Sequence, residues 1–280
     1  MNKIIPFNSL SLLKNNIKEI LTFLVFILAY VPTLLWMWER WFVRDSYYSH
    51  GILIPFVSLF LIWQNREELM ALEKKESRWG LRLIIVGLFI HLISAAFRIY
   101  FTSGFSMIIV LIGIILHFWG SEIFRKITFP VAFLCFMIPL PMVIIANLSF
   151  KLKIFAADLA TLLLNNMRIP AIREGSIIKM RSAYVVVEDV CSGLRSLIAL
   201  TALGSVFAYW LKSSLWKRLF LFLSTIPIAI ITNVCRILLL SAISEIWGTQ
   251  YASGWIHNIT GYLVFILAFI LLYVVSKIIE

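Results

Sequence analysis

The stretch "VEDVCSGLRSLIALTALGSVFAYWL", residues 187–211, joins a short polar segment to a long apolar one. Its first part holds two acids, a cysteine, a glycine and an arginine, and the residues from 192 onward are mostly apolar. A run of about 20 such residues is the length that an α-helix needs to cross a bilayer. The stretch therefore predicts a membrane span that begins directly after Cys191, which puts a thiol at a membrane boundary.

Apolar runs of spanning length recur along the whole chain. Of its 280 residues, 61% are hydrophobic and only 14% are charged, which is the composition of a polytopic membrane protein. The predicted fold class is therefore all-α, with about eight transmembrane helices in a single integral domain over residues 1–280. Besides 192–211, the predicted spans lie at about 20–38, 47–64, 81–97, 104–120, 127–147, 216–236 and 257–276.

The distribution of basic residues predicts the orientation in the membrane. A net charge of +11 suggests nucleic acid in a soluble protein, but here Lys and Arg concentrate in alternate short loops, as the positive-inside rule requires. Residues 1–18 are therefore expected to be a cytoplasmic N-terminal segment, and no nucleic-acid partner is expected. The short outer loops before residue 148 hold Arg40, Arg44 and Arg98.

A longer outer segment, 148–191, is predicted to carry structure of its own. Residues 154–167, "IFAADLATLLLNNM", are apolar but short and contain Asp158, which predicts an amphipathic helix on the outer surface rather than a span. Residues 176–190, "SIIKMRSAYVVVEDV", are rich in β-branched residues and partly alternate, which predicts a short β-hairpin.

This topology brings three reactive residues to one face. Cys191 begins the sixth predicted span, Arg236 ends the seventh in "TNVCRILLL", and His257 begins the eighth in "GWIHNITGY". A helix N-terminus and nearby cations, including Arg195 one turn later, lower the pKa of a thiol and make it a nucleophile. Acyl transfer also needs a proton donor for the leaving amine, which suits His257, and a partner for the oxyanion, which suits Arg236.

The residues alone leave other roles open. Cys191 could be a small packing residue, or form a disulfide with Cys235 at an oxidising face. Arg236 could extend to lipid headgroups, and His257 could be an ordinary interfacial residue. His50 in "DSYYSHG" belongs to the same predicted face and competes with His257 as the base. The cysteines show no zinc-ligand spacing, so neither a metal nor a cofactor is expected.

The motifs "DVCSGLRSL", "NVCRI" and "WIHNITGY", together with "DSYYSHGILIP" and "FMIPLP", resemble the exosortase family. Its members, with archaeosortases as relatives, are multi-pass bacterial membrane proteins proposed to be cysteine transpeptidases. The resemblance covers residues 40–275 and implies that the catalytic residues are Cys191, Arg236 and His257. Arg195 matches a further basic position, and Ser192, His50 and Asn258 complete the expected supporting residues.

The resemblance also implies a function. Substrates would be secreted, tail-anchored proteins with a C-terminal sorting signal of the PEP-CTERM kind, cleaved at the outer face of the bacterial inner membrane. Transfer to an envelope, lipid or exopolysaccharide acceptor is the expected second step. The alternative is a transporter or polysaccharide-export component that binds an anionic lipid or sugar. The ionisable residues gather at one edge of the spans rather than at the midplane, which favours interfacial chemistry over transport.

Overall fold

The computed structural model describes the backbone of residues 9–188, 191–252 and 255–280, and their side chains except those of 9–16, 251, 252, 257 and 258. Four-residue 3₁₀ turns occur at Ser49–Ile52, Leu134–Met137 and Thr249–Ala252. The three strands are β1 (Ala171–Glu174), β2 (Ile177–Met180) and β3 (Tyr184–Val186). The helices are α1 (Ser9–Phe42), α2 (Leu53–Gln64), α3 (Arg66–Met70), α4 (Arg78–Ala96), α5 (Tyr100–Phe118), α6 (Gly120–Phe133), α7 (Met142–Asn166), α8 (Leu194–Trp210), α9 (Leu215–Trp247) and α10 (Trp255–Ile279).

Five helices in the described part of the chain are long and apolar enough to cross a membrane. They are α1 from Ile17 onward, α4, α5, α9 and α10, and the pair Gly120–Met137 and Met142–Asn166 adds a sixth if it forms one span. Two further apolar helices, Ser49–Gln64 and Leu194–Trp210, are shorter than a typical span. The chain is thus a mostly helical, multi-pass membrane protein, and the predicted count of eight spans is not confirmed.

The predicted span 127–147 and the predicted amphipathic helix 154–167 both have wrong boundaries. Helical structure ends at Met137, and a new helix begins at Met142 and continues without interruption to Asn166. Pro139 and Pro141 explain the break, because proline lacks an N–H donor and disfavours helical backbone in the residue before it. The segment 154–167 is therefore the second half of α7 and not a separate helix.

The chain divides into two compact units, Met1–Phe42 with Gly51–Pro139 and Val43–His50 with Leu140–Glu280. In the first unit, buried hydroxyl groups link α1 to α5: Tyr30 Oη lies 3.0 Å from Ser106 Oγ, and Thr33 Oγ1 lies 2.6 Å from Ser103 Oγ. Such pairs give these hydroxyl groups the hydrogen-bond partners that lipid cannot provide. The description of the chain as a single domain stays a prediction.

In the second unit, the strands form an antiparallel sheet in the order β1-β2-β3. Ile178 pairs with Val185, so β2 and β3 lie within the segment 176–190, while β1 precedes it. The buried face of the sheet packs on α7 and α9 in one apolar cluster that also includes Cys191. A second cluster joins α8, α9 and α10 through residues such as Leu200, Leu221 and Ala268.

Gly80 and Gly113 lie at a close approach of α4 to α5. A Cβ atom on Gly113 would lie 2.8 Å from the backbone nitrogen of Ile84, and one on Gly80 would lie 2.4 Å from that of His117. Close helix approach at small residues is a usual source of packing energy in membranes.

We therefore expect Gly113→Val to push α4 and α5 apart and to destabilise the first unit by about 1–3 kcal/mol, the usual effect of overpacking. Thermal unfolding of the protein in detergent would measure this as a lower Tm. The control is Ala95→Val, which adds similar volume on an exposed face of α4. Equal Tm values for the two variants would contradict the packing assigned to Gly113.

Candidate active site

Cys191 lies in the turn that connects β3 to α8. Its backbone N–H donates to Glu188 O at 2.9 Å, and α8 begins three residues later at Leu194. Gly193 has φ +79°, a left-handed conformation that glycine adopts far more readily than other residues. This turn brings the Cys191 side chain into the apolar cluster between α7, α9 and the sheet, where only 3% of the residue is exposed.

Helix α9 brings Asn233 and Arg236 to this turn. Both residues are buried, and their spacing of three places them on one face of the helix. Asn233 Nδ2 donates to Cys191 O at 2.8 Å. Arg236 is close enough for its positive charge to stabilise the Cys191 thiolate. The structure thus brings together the predicted nucleophile and the predicted arginine.

Arg236 was expected at the end of the seventh span, 216–236, but its helix does not end there. Helix α9 continues to Trp247, about three turns further. The polar residues around Arg236 do not end the helix because they are buried and bonded: Thr232 Oγ1 donates to Ile228 O at 2.8 Å, and Ser244 Oγ donates to Tyr184 O at 3.4 Å. Arg236 itself is only 8% exposed, so it does not extend to lipid headgroups.

Helix α10 contributes a glycine to the arginine's surroundings. A Cβ atom on Gly261 would lie 3.2 Å from Nη2 of Arg236, so the guanidinium occupies the space that a side chain would otherwise take. His257 lies one turn before Gly261 in α10, and residues four apart share a helix face. The side chains of His257 and Asn258 lie outside the described residues, so their roles stay predictions.

Burial dominates the chemistry of the Cys191 thiol. It raises the pKa of Cys191, the nearby Arg236 lowers it, and the negative charge of Glu188 raises it further. The net effect is a raised pKa, whereas the sequence analysis expected a lowered one from the helix N-terminus and the cations. The expectation was wrong because it left out the cost of desolvating a thiolate. A base is therefore needed to form the nucleophile.

The predicted supporting residues near α8 have local partners. Arg195, in the first turn of α8, forms an ion pair with Asp45 at 3.5 Å, which connects α8 to the segment Val43–His50 of the same unit. Ser192 is buried, and its Oγ accepts from the N–H of Leu194 at 3.3 Å. The Ser192 contact lies in the turn that carries Cys191, whereas the Arg195 ion pair is partly exposed.

His50 lies in the 3₁₀ turn Ser49–Ile52 and stacks on Tyr48, with ring centroids 5.9 Å apart. Burial lowers the pKa of His50 to about 4, so the ring is neutral at pH 7. Its Nε2 has no hydrogen-bond partner among the described residues, and no described contact joins it to Cys191. A neutral imidazole is the form that accepts a proton, and the expectation that His50 competes with His257 as the base stays a prediction.

The other cysteines do not compete with Cys191 in this geometry. No disulfide joins any of the three cysteines, all of which lie among the described residues. Cys235, next to Arg236 in sequence, is exposed on the surface of α9. The alternative of a Cys191–Cys235 disulfide is therefore wrong for this structure.

Two residues that shape the site, Asn233 and Gly261, were not among the predicted site residues. Their spacing in "TNVCRI" and "HNITGY" could have indicated them, since Asn233 is one helical turn before Arg236 and Gly261 is one turn after His257. They were not predicted because neither is a nucleophile, acid or base.

The fold and the site define a polytopic membrane protein with a buried cysteine and arginine pair at the start of a helix. The model of the transmembrane exosortase family (Exosortase_EpsH) matches residues 38–274, most of the chain. The chain therefore belongs to this family of membrane protein-sorting transpeptidases, which confirms the resemblance seen in the motifs. No curated protein and no solved structure matches it significantly.

The electrostatic coupling of Arg236 to Cys191 predicts how the alkylation of Cys191 depends on pH. Because the Arg236 charge lowers the pKa of the thiol, Arg236→Met should move the alkylation of Cys191 by iodoacetamide to higher pH. We expect slower alkylation than in the unsubstituted protein at every pH below the midpoint. Mass spectrometry of the full-length Cys135→Ser, Cys235→Ser protein would measure the rate.

Two control variants test the direction in which a nearby charge shifts the pH profile of Cys191 alkylation. Glu188→Gln removes a charge that raises the pKa of Cys191, so its profile should move to lower pH. Arg195→Met removes a guanidinium that is paired with Asp45. The alkylation profile of this variant should stay close to that of the protein with Arg195 unchanged. Equal shifts for Arg195→Met and Arg236→Met would mean that the effect is general surface charge.

Gly261→Ala tests the space reserved for Arg236. The added methyl group would lie 3.2 Å from Nη2, so the guanidinium must move, and the alkylation profile of Cys191 should shift to higher pH by less than in Arg236→Met. Alanine favours helices over glycine, so Tm should not fall. Leu263→Val, on an exposed part of α10, is the control, and an unchanged profile in Gly261→Ala would show that Gly261 does not set the position of the arginine.

Proposed function

We propose that this chain is a cysteine transpeptidase that cleaves the C-terminal sorting signal of secreted proteins and transfers the cleaved protein to an acceptor. One observation carries the proposal: the buried Arg236 acts electrostatically on the buried Cys191, within the region that matches the exosortase family. A buried charge is costly in an apolar interior, and perturbed groups of this kind concentrate at functional sites.

The proposed substrate is a tail-anchored protein with a PEP-CTERM-like signal: a short recognition motif, one transmembrane helix and a basic cluster. Such a tail diffuses within the plane of the membrane and presents its motif at the outer interface of the inner membrane. The proposed orientation, with a cytoplasmic N-terminus, puts the turn that carries Cys191 at that interface. The membrane then orients the substrate motif and the turn that carries Cys191 relative to each other, which lowers the entropic cost of a reaction between two molecules.

In the first step, His257 accepts the thiol proton, and the Cys191 sulfur attacks the carbonyl carbon of the scissile peptide bond. A C–S bond forms, and the carbonyl oxygen takes the negative charge of the tetrahedral intermediate. Arg236 stabilises that oxyanion. Because burial keeps the resting thiol protonated, the base is an essential part of this step.

In the second step, the C–N bond breaks, and the leaving amine takes the proton that His257 accepted. The tail departs with its new N-terminus, and the secreted protein remains as a thioester on Cys191. An amine or hydroxyl group of an envelope or exopolysaccharide acceptor then attacks the thioester, gives its proton to His257, and releases the Cys191 thiolate, which recovers that proton.

The test is co-expression with a secreted reporter that carries a Pro-Glu-Pro motif, a transmembrane helix and a basic cluster at its C-terminus. Cys191→Ala should abolish the gel shift that marks processing, because the thioester cannot form. Cys235→Ala, which removes the exposed neighbouring thiol, should leave processing unchanged. Continued processing in both variants would rule out Cys191 as the nucleophile.

The same system separates transfer from hydrolysis. Hydroxylamine added to the cells should release the reporter as a hydroxamate, because it intercepts a thioester. A product with increased mass in its absence would indicate transfer to an acceptor, and a product that ends in a carboxyl group would indicate hydrolysis. Lack of processing by the unsubstituted protein would contradict the proposed substrate class.

A further inference from the structure

The strongest unassigned feature is the amide of Asn233, which lies next to the proposed nucleophile. The residue is 4% exposed, and its Nδ2 donates to the backbone oxygen of Cys191 at 2.8 Å, across 42 residues of sequence. A buried amide needs hydrogen-bond partners, and this one uses its donor on the residue that carries the thiol.

The turn around Cys191 is also shaped to receive this amide. Gly193 has a left-handed backbone, and a Cβ atom there would lie 2.9 Å from Cγ of Asn233, nearer than side chains approach each other. Any other residue at position 193 would therefore displace Asn233 as well as strain the backbone. The two residues fit together as one unit.

Apolar side chains surround the contact. Asn233, Ser192 and Gly193 line a small pocket whose remaining wall includes Leu152, Phe155 and Ala156 of α7. A hydrogen bond in such apolar surroundings is stronger than one in water, and its loss leaves buried polar groups without partners. The contact can therefore fix the geometry of the turn.

We propose that Asn233 is a positioning residue: its amide holds the Cys191 carbonyl so that the thiol stays beside Arg236 and in reach of the substrate carbonyl. The inference rests on the proposed function for its catalytic consequence. Asn233 and Arg236 lie one turn apart on the rigid helix α9, so a single element holds the backbone of the nucleophile and supplies the charge that activates it.

The test uses two replacements of similar size in the full-length Cys135→Ser, Cys235→Ser protein in lipid nanodiscs. Asn233→Leu removes the donor at every pH. Asn233→Asp lacks the donor when ionised, but its protonated form carries an O–H that can donate to the Cys191 carbonyl. Burial and the negative charge of Glu188 raise the pKa of this carboxyl group, whereas the positive charge of Arg236, one turn away in α9, lowers it.

The first readout is the rate of Cys191 alkylation by iodoacetamide across pH, divided by the rate of the unsubstituted Asn233 protein. In Asn233→Asp this ratio should rise as pH falls through the range in which the carboxyl group protonates, because protonation restores a donor and removes a negative charge near the thiol. In Asn233→Leu, which adds no charge, the profile should move to higher pH, since the thiol is no longer held beside Arg236. A role in packing alone would lower Tm in Asn233→Leu and leave its alkylation profile in place, which would overturn the proposal.

The second readout separates this proposal from the proposed function. Reporter processing in cells should fall at least tenfold in Asn233→Leu, with full-length protein still present in the membrane. If Cys191→Ala still processes the reporter, the proposed function fails, while the alkylation profiles still decide whether Asn233 positions the thiol. If Cys191→Ala abolishes processing but Asn233→Leu has the processing and the alkylation profile of the unsubstituted protein, the positioning role alone fails.

Discussion

The buried guanidinium of Arg236 is the constraint on which the rest of the second unit depends. Moving a charge from water into an apolar interior costs several kcal/mol after relaxation unless the charge finds partners and space. Helix α10 provides the space at Gly261, and the proximity of Cys191 provides a group whose ionised form the charge favours.

The sheet and α7 hold in place the loop that carries Cys191 near Arg236. Ala171 and Ile178 from the sheet pack with Ala157 and Ala160 of α7, and Val187 continues the same cluster up to Cys191. Asn165 at the end of α7 exchanges two hydrogen bonds of 2.9 Å with the backbone of Ala171, which anchors β1. The loop that carries the nucleophile is thus attached to rigid elements on both sides, as a site that must hold its geometry requires.

The sequence predicted the membrane class, the family and the nearness of Cys191 to Arg236, because apolar runs and spaced motifs are local properties of the chain. It did not predict that α7 is one long helix, nor that α9 continues past Arg236 to Trp247. The second error arose because a polar residue was taken as the end of the span, whereas Asn233, Arg236 and Ser244 are buried against other elements, and only the packed structure contains those elements. The direction of the Cys191 pKa shift was missed for the same reason, since burial has no local sequence signal.

In the proposed mechanism, a buried, protonated thiol and a buried arginine together favour a nucleophile that is inactive until substrate arrives. The thiolate is disfavoured by burial and by Glu188, and Arg236 offsets these effects only in part. A substrate that excludes water from the turn strengthens the attraction between the charge and the developing oxyanion, because the effective dielectric constant falls. The same Arg236 then gains most from the transition state rather than from the resting enzyme, which is the condition for catalysis.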